Sequence, residues 1–483
     1  MNNSSAIYPS IRYAIRVFIF VICIAVFLSG CAGQVDISQD STAASTVNNT
    51  DFQETAESES DVTTTDTATA DTTVTTDSVG TGTAVATGTT AATAATTAGA
   101  AAPAGTANTS EPTVTIPVVP SNEMRGVWIS FIELDSMLKQ KTVAGAKAVL
   151  DKVMDDAVSE GLNTVIFHVR SHSNAYYRSD IFKAAAVAAP LLDAGLDPLA
   201  YALESAHARG LSFHAWINPY RIGVDVSYSK LGGNNIFSLP DGSRNIYYYV
   251  PSSVEAQKLI IDGVTEVVSK YNVDGVQFDD YFYPETRDEN KIPYISPSSP
   301  TNFEKADYER YTSEGGKMSI GDWRRSNVSA LVSSVYRNIK SYSKNRSAVF
   351  GISPSYNVDL NYNSKYADVT LWMSVSGYLD YIAPQVYFGF EHPVAPFVPK
   401  TDEWVRFDRH SSVKLYVGLA LYKSKAVDAG SNEWINSNNI IRRQVEYLRG
   451  ISKIEGFMIY TYSSFANFPE EANNLRSLLK MDT

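Results

Sequence analysis

The 483-residue sequence contains only two cysteines, Cys23 and Cys31, and both lie close to its N-terminus. The remainder of the chain therefore has no thiol for a disulfide framework or a metal site. We expect the folded part to be stabilised by a large hydrophobic core instead, because no covalent cross-link is available to it.

Clustered positive charge is also missing. Lys and Arg number 40 against 52 Asp and Glu, the formal net charge is −12, and no basic block occurs. A nucleic-acid-binding protein needs a positive footprint, so we expect no nucleic-acid partner. Aromatic residues, in contrast, make up 11 % of the chain and include 29 Tyr. That abundance suits a carbohydrate-binding cleft without being specific to one.

The N-terminal segment lacks an apolar run long enough to span a membrane comfortably. Its apolar run covers Val17–Leu28, whereas a spanning helix needs about 20 apolar residues. Two arginines precede this run, and Leu28-Ser29-Gly30-Cys31 ends it. A charged start, a short apolar stretch and small residues before the cleavage point are typical of a secretory signal. We therefore predict a signal peptide over residues 1–30.

The Leu28-Ser29-Gly30-Cys31 ending resembles a bacterial lipobox, which implies cleavage before Cys31 and lipid on its thiol. The alternative is an uncleaved N-terminal anchor helix. Both interpretations place the bulk of the chain outside the cytoplasm. We expect an extracytoplasmic protein that is anchored to the bacterial cell membrane through Cys31.

The next segment has almost no large apolar side chains. Residues 32–110 are mainly Thr, Ala, Gly, Ser and Asp, and such a composition cannot bury enough surface to offset the entropy of ordering. We predict that residues 31–120 form the lipidated Cys and a disordered linker. Residues 121–483 then form one folded domain, which we expect to be monomeric.

From Met124 onward, β-rich runs alternate with segments whose apolar residues recur at helical spacing. The eight predicted strands are Arg125–Ser130, Asn163–Arg170, Ser212–Pro219, Asp274–Phe282, Ala348–Ser355, Tyr381–Phe388, Lys414–Ala420 and Gly456–Ser463. Strand–helix alternation predicts parallel pairing with helical crossovers. Eight such units predict an α/β fold, a (β/α)8 TIM barrel. An open doubly wound sheet is the alternative, because a strand count does not show closure.

Five of these strands become polar toward their C-terminal ends, at alternate positions. Side chains two residues apart share one face of a strand, and in a barrel that face is the lumen near its mouth. The polar and aromatic residues on this face are His168 and Arg170; His214, Trp216 and Asn218; Gln277 and Asp279; Gln385 and Tyr387; Tyr460 and Tyr462. Active sites of TIM barrels lie at this mouth, so we predict the site there.

Each of these residues also has a structural interpretation. The histidines could be core residues bonded to backbone carbonyls, and Arg170 could pair with Asp279. The adjacent carboxylates Asp279 and Asp280 are harder to explain in this way, because buried charge is costly unless it is paired or used. We therefore expect Asp279 to have a catalytic or ligand-binding role.

Several segments resemble glycosyl-hydrolase-like family 10, a family related to α-amylase-type barrels. The resemblance covers about residues 123–465, essentially the whole predicted domain. It is carried by Met124–Trp128, Gly195–Arg221, Asp274–Pro284, Asp322–Asn327, Tyr381–Tyr387 and Leu415–Ala420. The resemblance implies a TIM barrel that hydrolyses a glycan without a metal or cofactor, and bacterial cell-wall glycan strands, including strands freed of their peptides, as the substrate class.

The resemblance also implies which residues surround the site. Those residues are the Asp279-Asp280 pair with Arg170, His214, Asn218, Arg221, Trp323, Arg324, Gln385 and Tyr387. The second strand departs from the family pattern, because Ser171 replaces a Pro and Asn174 replaces an Asp. This departure puts the catalytic activity or the specificity of the chain in doubt.

Glycoside hydrolysis usually needs two carboxyl groups, one of them protonated. We hypothesise that Asp279 is the nucleophile or stabilises the oxocarbenium-like state, and that Asp280 or Glu391 is the acid. Arg170 and Arg221 would bind sugar hydroxyls or a lactyl carboxylate. The rings expected to stack on sugars are Trp216, Tyr281 and Trp323, and further substrate contacts are expected from Gln277 and Tyr460.

Two alternative functions stay open at this point. A metal-dependent deacetylase or amidase would use His168, His214 and Asp279 as ligands, although no His-x-His pair supports it. A non-catalytic glycan-binding lipoprotein is the other alternative, because a barrel does not guarantee activity.

Overall fold

A computed structural model describes residues 122–241, 243–284 and 302–480. The predicted signal peptide, the lipidation site at Cys31 and the linker over residues 31–120 lie outside these ranges. Within them, no helix combines the length and apolar character that a membrane crossing requires.

Eight strands form one parallel sheet that closes into a barrel. They are β1 (Met124–Ile129), β2 (Thr164–Arg170), β3 (Ser212–Ile217), β4 (Gly275–Phe278), β5 (Val349–Ile352), β6 (Tyr381–Ile382), β7 (in two parts, Lys414–Leu415 and Val417–Ala420) and β8 (Gly456–Tyr460). Each strand pairs in parallel with the next one in the chain from β1 to β6.

The closure of the barrel depends on β7. Its first part pairs with β6, its second part pairs with β8, and β8 pairs with β1. The two ends of the sheet are thus consecutive pieces of one strand, on either side of Tyr416. This arrangement confirms the predicted TIM barrel and excludes the open doubly wound sheet.

Helices cover the outside of the barrel. They are α1 (Phe131–Leu138), α2 (Val143–Ser159), α3 (Ala189–Asp193), α4 (Pro198–Ala208), α5 (Val254–Lys270), α6 (Lys305–Ser313), α7 (Ile320–Tyr342), α8 (Val358–Asn363), α9 (Val369–Ser374), α10 (Phe397–Arg406), α11 (Glu433–Asn436), α12 (Ile440–Arg449), α13 (Tyr462–Asn467) and α14 (Pro469–Lys480). Three of the long helices begin with polar N-cap residues. The side chains of Thr142, Ser253 and Ser319 accept hydrogen bonds from backbone N–H groups in the first turns of α2, α5 and α7.

The loop after β3 folds into a small antiparallel sheet of its own. Its strands are Arg221–Gly223, Ile236–Asp241 and Arg244–Tyr249. The ring of Phe237 stacks on the ring of Phe303, with 3.6 Å between centroids. This contact attaches the small sheet to the loop that follows β4.

The eighth strand is shorter than the sequence predicts, and the extension to Ser463 is wrong. Thr461 begins α13 with a capping box, so the chain turns from strand to helix directly after Tyr460. The hydroxyl of Tyr462 donates to Asp156 on α2, at 2.7 Å. Tyr462 therefore does not continue the lumen-facing row of β8, because helix capping ended the alternation that the prediction assumed.

The floor of the barrel is packed around two large side chains. His214 and the hydroxyl of Tyr381 are joined by a hydrogen bond of 2.9 Å from Nδ1 to Oη. Glycines leave room for both rings, because a Cβ added at Gly275 would lie 2.8 Å from His214 and one added at Gly351 would overlap Tyr381. Only glycine fits at these two lumen positions without moving a ring.

We predict that Gly351→Ala destabilises the protein by about 1–3 kcal/mol, because an added methyl group displaces the Tyr381 ring in a filled core. Urea unfolding followed by circular dichroism measures this change. Gly232→Ala is the matched control, since a Cβ there meets nothing within 4 Å. Equal stability of the two variants would contradict the proposed packing of the floor.

Candidate active site

Asp279 lies directly after β4 and is buried, with 4 % of its surface exposed. The indole Nε1–H of Trp216 donates to its Oδ2 at 2.9 Å, and the backbone N–H of Tyr281 donates to its Oδ1 at 3.3 Å. Burial and the nearby charge of Asp280 raise the pKa of Asp279 to about 7, although these hydrogen bonds and Arg221 oppose the shift. Asp279 can therefore hold a proton near neutral pH.

Asp280 has a different environment from its neighbour. Its carboxylate pairs with the ammonium group of Lys365, and both side chains are largely buried. Lys365 follows α8 and thus comes from the loops above β5. The charge of Asp280, next to Asp279, disfavours ionisation of Asp279.

The orientation of Trp216 is set by His168 at the end of β2. The two rings stack with 3.7 Å between centroids and 9° between planes. Nδ1 of His168 accepts a hydrogen bond of 3.3 Å from the backbone N–H of Phe131. Burial, together with the charges of neighbouring residues, lowers the pKa of His168 well below its ordinary value. His168 is therefore a neutral ring that supports Trp216.

Five aromatic rings form a continuous surface at the mouth, which we call the aromatic wall. Its members are Trp128, Trp216, Tyr387, Tyr422 and Tyr460. Tyr460 touches all four of the others, and its ring stacks on Tyr387 with centroids 5.8 Å apart. Tyr422, 40 % exposed, is the outermost ring. The charge of Asp279 contributes to the raised pKa of Tyr460, after burial and Glu133, which places the wall beside the carboxyl group.

Sequence reasoning missed Glu133, which links the ends of β1 and β8. Its Oε1 accepts from the hydroxyl of Thr461 and the N–H of Ser463, both at 2.6 Å. Its Oε2 accepts from the N–H and hydroxyl of Ser130, at 2.7 and 2.9 Å. The spacing Ser130-x-x-Glu133 is a capping-box pattern, which is the signal that could have identified it. Glu133 thereby holds the chain next to Tyr460.

Gln277 and His214 lie below the mouth, in the interior of the barrel. Oε1 of Gln277 accepts a hydrogen bond from the indole of Trp128 at 2.6 Å, and its side chain is completely buried. His214 belongs to the floor described above. These two residues support the aromatic wall from beneath. A ligand would have to pass the rings of the wall before it could contact either of them.

Arg170 departs from the predicted alternation. A register shift between His168 and Arg170 sets Arg170 opposite Ile217, a residue of the outer core. Its guanidinium is fully buried and lies 4.7 Å from the ring centroid of Phe182. Among the residues that the structure describes, none forms a hydrogen bond with the guanidinium. The direct pair with Asp279 that we considered is thus not formed, although the charge of Asp279 helps to maintain the pKa of Arg170 against burial.

Asn218, Arg221 and Tyr281 gather on the Asp279 side of the mouth. Oδ1 of Asn218 accepts from the backbone N–H of Arg221 at 3.1 Å. The guanidinium of Arg221 lies 5.3 Å from the ring centroid of Tyr281. Its positive charge lowers the pKa of Asp279, although less than burial raises it. This group supplies positive charge and an aromatic face next to the buried carboxyl group.

Four other predicted site residues have structural partners elsewhere in the loops. Trp323 packs on Tyr308 and Tyr311, and buried Arg324 pairs with Glu304 at 2.7 Å. Gln385 donates to the carbonyl of Ser353 at 3.0 Å, and exposed Glu391 donates its backbone N–H to Glu433 at 2.9 Å. None of these contacts involves Asp279.

The residues of a hypothetical metal site are not gathered around one point. His168 supports Trp216, His214 bonds to Tyr381 and Asp279 accepts from Trp216. Across the described part of the chain, no group of three or more His, Cys, Asp or Glu side chains has a metal-binding arrangement. The site therefore offers carboxyl and aromatic chemistry.

Comparisons with known proteins identify the family of this chain. The family model "Glycosyl hydrolase-like 10" matches residues 123–436. Glycosyl hydrolase YngK of Bacillus subtilis is 31 % identical over 369 residues, which cover 72 % of this chain and 69 % of the relative. Glycosyl hydrolase DigH of Escherichia coli is 30 % identical over 392 residues, which cover 72 % and 85 %.

Among solved structures, the glycoside hydrolase domain of PgaB (BpsB) from Bordetella bronchiseptica superimposes with a TM-score of 0.51. The alignment covers 74 % of this chain and 99 % of that domain, at 15 % identity. At this identity the similarity shows the barrel fold alone.

We predict that Asp279→Asn makes stability less dependent on pH. Because the folded-state pKa of about 7 exceeds the ordinary value of 3.8, the folded protein binds more protons than the unfolded chain between these values. Wild-type stability is therefore lost as pH rises through this window. Relative to wild type, the variant should gain roughly 3–4 kcal/mol between pH 4 and pH 8.

Urea unfolding at both pH values measures this difference. Asp193→Asn, which changes an exposed carboxylate at the end of α3, is the matched control and should follow wild type. If the free energy of unfolding changes with pH equally in wild type and Asp279→Asn, the pKa of Asp279 is not raised.

Proposed function

The chain belongs to the glycosyl hydrolase-like 10 family, and from this membership and the site geometry we propose that it cleaves bacterial cell-wall glycan by carboxylate acid catalysis. The activity class, glycoside hydrolase, follows from the family and from the two relatives. The observation that supports the chemistry is the buried Asp279 carboxyl group, held by Trp216 at 2.9 Å beside an aromatic wall.

We assign the general acid to Asp279. Its burial favours this role over the role of nucleophile or stabiliser that we expected from the sequence. A carboxyl group with a pKa of about 7 keeps its proton near neutral pH and still releases it readily, which suits an acid that protonates the leaving oxygen. Proton transfer from Asp279 to the glycosidic oxygen then accompanies cleavage of the bond to the anomeric carbon.

Asp280 has the complementary role. Its carboxylate, paired with Lys365, stabilises the positive charge that develops on the sugar ring in the transition state. A water molecule then adds to the anomeric carbon and gives one proton to the Asp279 carboxylate, which restores the acid for the next cycle. Because one carboxyl group donates a proton while the other stabilises positive charge, the two adjacent aspartates perform different tasks.

The aromatic wall would hold the sugar rings. Pyranose rings present flat apolar faces, and aromatic side chains supply apolar contact with a fixed orientation. The wall extends from Trp216 beside the acid to Tyr422 at the rim. A chain of several sugars could therefore lie along it, which favours a polymer over a single sugar as substrate.

The N-terminal sequence supports the location of that polymer. Lipid on Cys31 would anchor the chain to the membrane, and the linker expected over residues 31–120 would reach roughly 50 Å if it behaves as a random coil. The barrel would thus work within the wall layer next to the membrane. A cell-wall glycan, including one freed of its peptides, is the polymer found in that layer.

We predict that Asp279→Asn lowers kcat on peptide-free glycan strands about 100-fold or more, because a general acid contributes at least that factor. Chromatography of the released saccharides measures the loss, and Asp193→Asn is the control variant. Full activity of Asp279→Asn would rule out the acid assignment. Binding without any cleavage by wild type would identify a glycan-binding protein instead.

Asp280→Asn should change the pH profile as well as the rate. Removing the neighbouring negative charge lowers the pKa of Asp279, so the alkaline limb of the activity profile should move to lower pH. A pH–rate series for wild type and variant measures this shift. If the rate falls but the alkaline limb of the activity profile stays at the same pH, the charge of Asp280 does not affect the pKa of Asp279.

The anchor is tested separately in a bacterial host. Cys31→Ala should abolish lipid attachment and move the protein from the membrane fraction to the soluble extracytoplasmic fraction. Cys23→Ala, in the apolar run, is the matched control and should stay with the membrane. If Cys31→Ala also stays, the N-terminus acts as an uncleaved anchor helix.

A further inference from the structure

His172 is a further polar residue at the mouth of the barrel. It comes two residues after the end of β2, at the strand end where TIM barrels build their sites. Phe131 packs edge-to-face both on its ring, with 4.9 Å between centroids, and on the ring of His168. Burial and the charge of Arg221 lower the pKa of His172 to about 3, and the same charge opposes the effect of burial on the pKa of Asp279. His172 therefore lies on the Asp279 side of the mouth.

Three contacts hold the imidazole ring of His172 in place. Its Nδ1 shares a hydrogen bond of 3.0 Å with Oγ of Ser171, and one side of the ring packs on Phe131. Its Cδ2 lies so close to Gly223 that a Cβ added there would approach it to 2.8 Å. The edge formed by Cε1 and Nε2 takes part in none of these contacts. Because His172 is partly exposed, a ligand can reach this remaining edge.

The ring is held by a residue at which the second strand departs from the family pattern. The hydroxyl of Ser171, which the usual Pro cannot supply, is the partner of Nδ1 of His172. The same hydroxyl lies 3.5 Å from Oδ1 of Asn174, the other position of departure. A hydrogen bond to one ring nitrogen fixes the orientation and tautomer of a histidine. The departure thus orients a side chain at the mouth, which indicates an altered specificity.

The protonation state of His172 indicates which groups its ring can bind. With a pKa of about 3, the imidazole is neutral near neutral pH. A neutral imidazole has one donor nitrogen and one acceptor nitrogen. Since Nδ1 is bonded to Ser171, Nε2 is the nitrogen left for a ligand. Hydroxyl and acetamido groups of sugars both donate and accept hydrogen bonds, so they suit either tautomer.

We propose that Nε2 of His172 binds a hydroxyl or acetamido group of the glycan beside Asp279 and so contributes to the choice of sugar at the mouth. This inference rests on the proposed glycan-cleaving function. His172 would act on substrate binding, because proton transfer belongs to Asp279. Ser171 is then a positioning residue, since it acts on the substrate only through the ring that it orients.

Two variants separate the two nitrogen atoms of the ring. The side chain of His172→Asn places a polar atom near the position of Nδ1 but does not reach that of Nε2, whereas His172→Gln does reach it. His172→Asn should weaken binding of peptide-free glycan strands about threefold to tenfold, the effect of losing one hydrogen bond. His172→Gln should bind as the parent does. Fluorescence anisotropy of labelled strands measures the affinity, with the full-length chain carrying Asp279→Asn as the parent.

The opposite order of the two variants would overturn the proposal. A parent-like His172→Asn with an impaired His172→Gln would mean that the ring acts only through its bond to Ser171. Equal loss in both variants would mean that only the packing of the ring matters. Parent-like binding by both would mean that His172 does not contact the glycan.

His410→Asn is the matched control. Nδ1 of His410 is also bonded to a serine hydroxyl, that of Ser412, at 2.8 Å, and His410 is also partly exposed. It precedes β7, at the opposite end of the barrel from the mouth. This variant should bind the strands as the parent does. A loss equal to that of His172→Asn would be a general effect of the substitution and would overturn the proposal.

Ser171→Ala tests the positioning role. It should weaken binding in the parent, because the ring of His172 loses the partner of Nδ1. In a chain that already carries His172→Asn it should cause no further loss, since residues that act through one contact are not additive. Equal losses in both chains would mean that Ser171 acts independently of His172.

A kinetic measurement separates this contact from the catalytic step. In chains with native Asp279, His172→Asn should raise KM for the strands and leave kcat unchanged. If wild type cleaves the strands and both His172 variants keep its KM, the contact fails and the activity stands. If wild type binds the strands in a His172-dependent way but cleaves none, the proposed activity fails and the contact stands.

Discussion

The burial of the Asp279 carboxyl group is the constraint on which the rest of the site depends. A carboxyl group that is shielded from water keeps its proton to higher pH, because burial disfavours the charged form, and it still needs hydrogen-bond partners. Trp216 is such a partner, and stacking on neutral His168 sets its ring. The ion pair between Asp280 and Lys365 adds a nearby negative charge. Burial and the charge of Asp280 together raise the pKa of Asp279 to about 7.

Buried polar groups connect loops of the mouth that come from distant parts of the chain. Glu133 joins the end of β1 to the start of α13 with four hydrogen bonds. The pair of Glu304 and Arg324 connects the loop after β4 to α7, and neither side chain is exposed. A buried pair of this kind is costly to break, so Arg324 holds the loop in place. Residues that resemble substrate contacts in the sequence can thus stabilise the mouth instead.

The sequence predicted the barrel and much of its mouth for a simple reason. Periodicity of two marks the lumen face of a strand, and it identified Trp216 and Asp279, which the structure joins by a hydrogen bond. The same rule was wrong at Tyr462, because a capping box converts the chain to helix after Tyr460. It also misplaced Arg170, because one extra residue in β2 shifts the register. Bulges and caps depend on neighbours that periodicity does not contain.

The sequence by itself determined the fold class, the family and the strand end that carries the acidic pair, because these depend on local pattern and on motif identity. Tertiary structure alone decided what each carboxyl group can do. Burial and the closeness of Asp280 set the pKa of Asp279, and both arise from residues far apart in the chain. Among the described residues, the buried guanidinium of Arg170 has no hydrogen-bond partner, and this too came from the structure. A hydrogen-bond partner can be missing only where folding has removed a side chain from water.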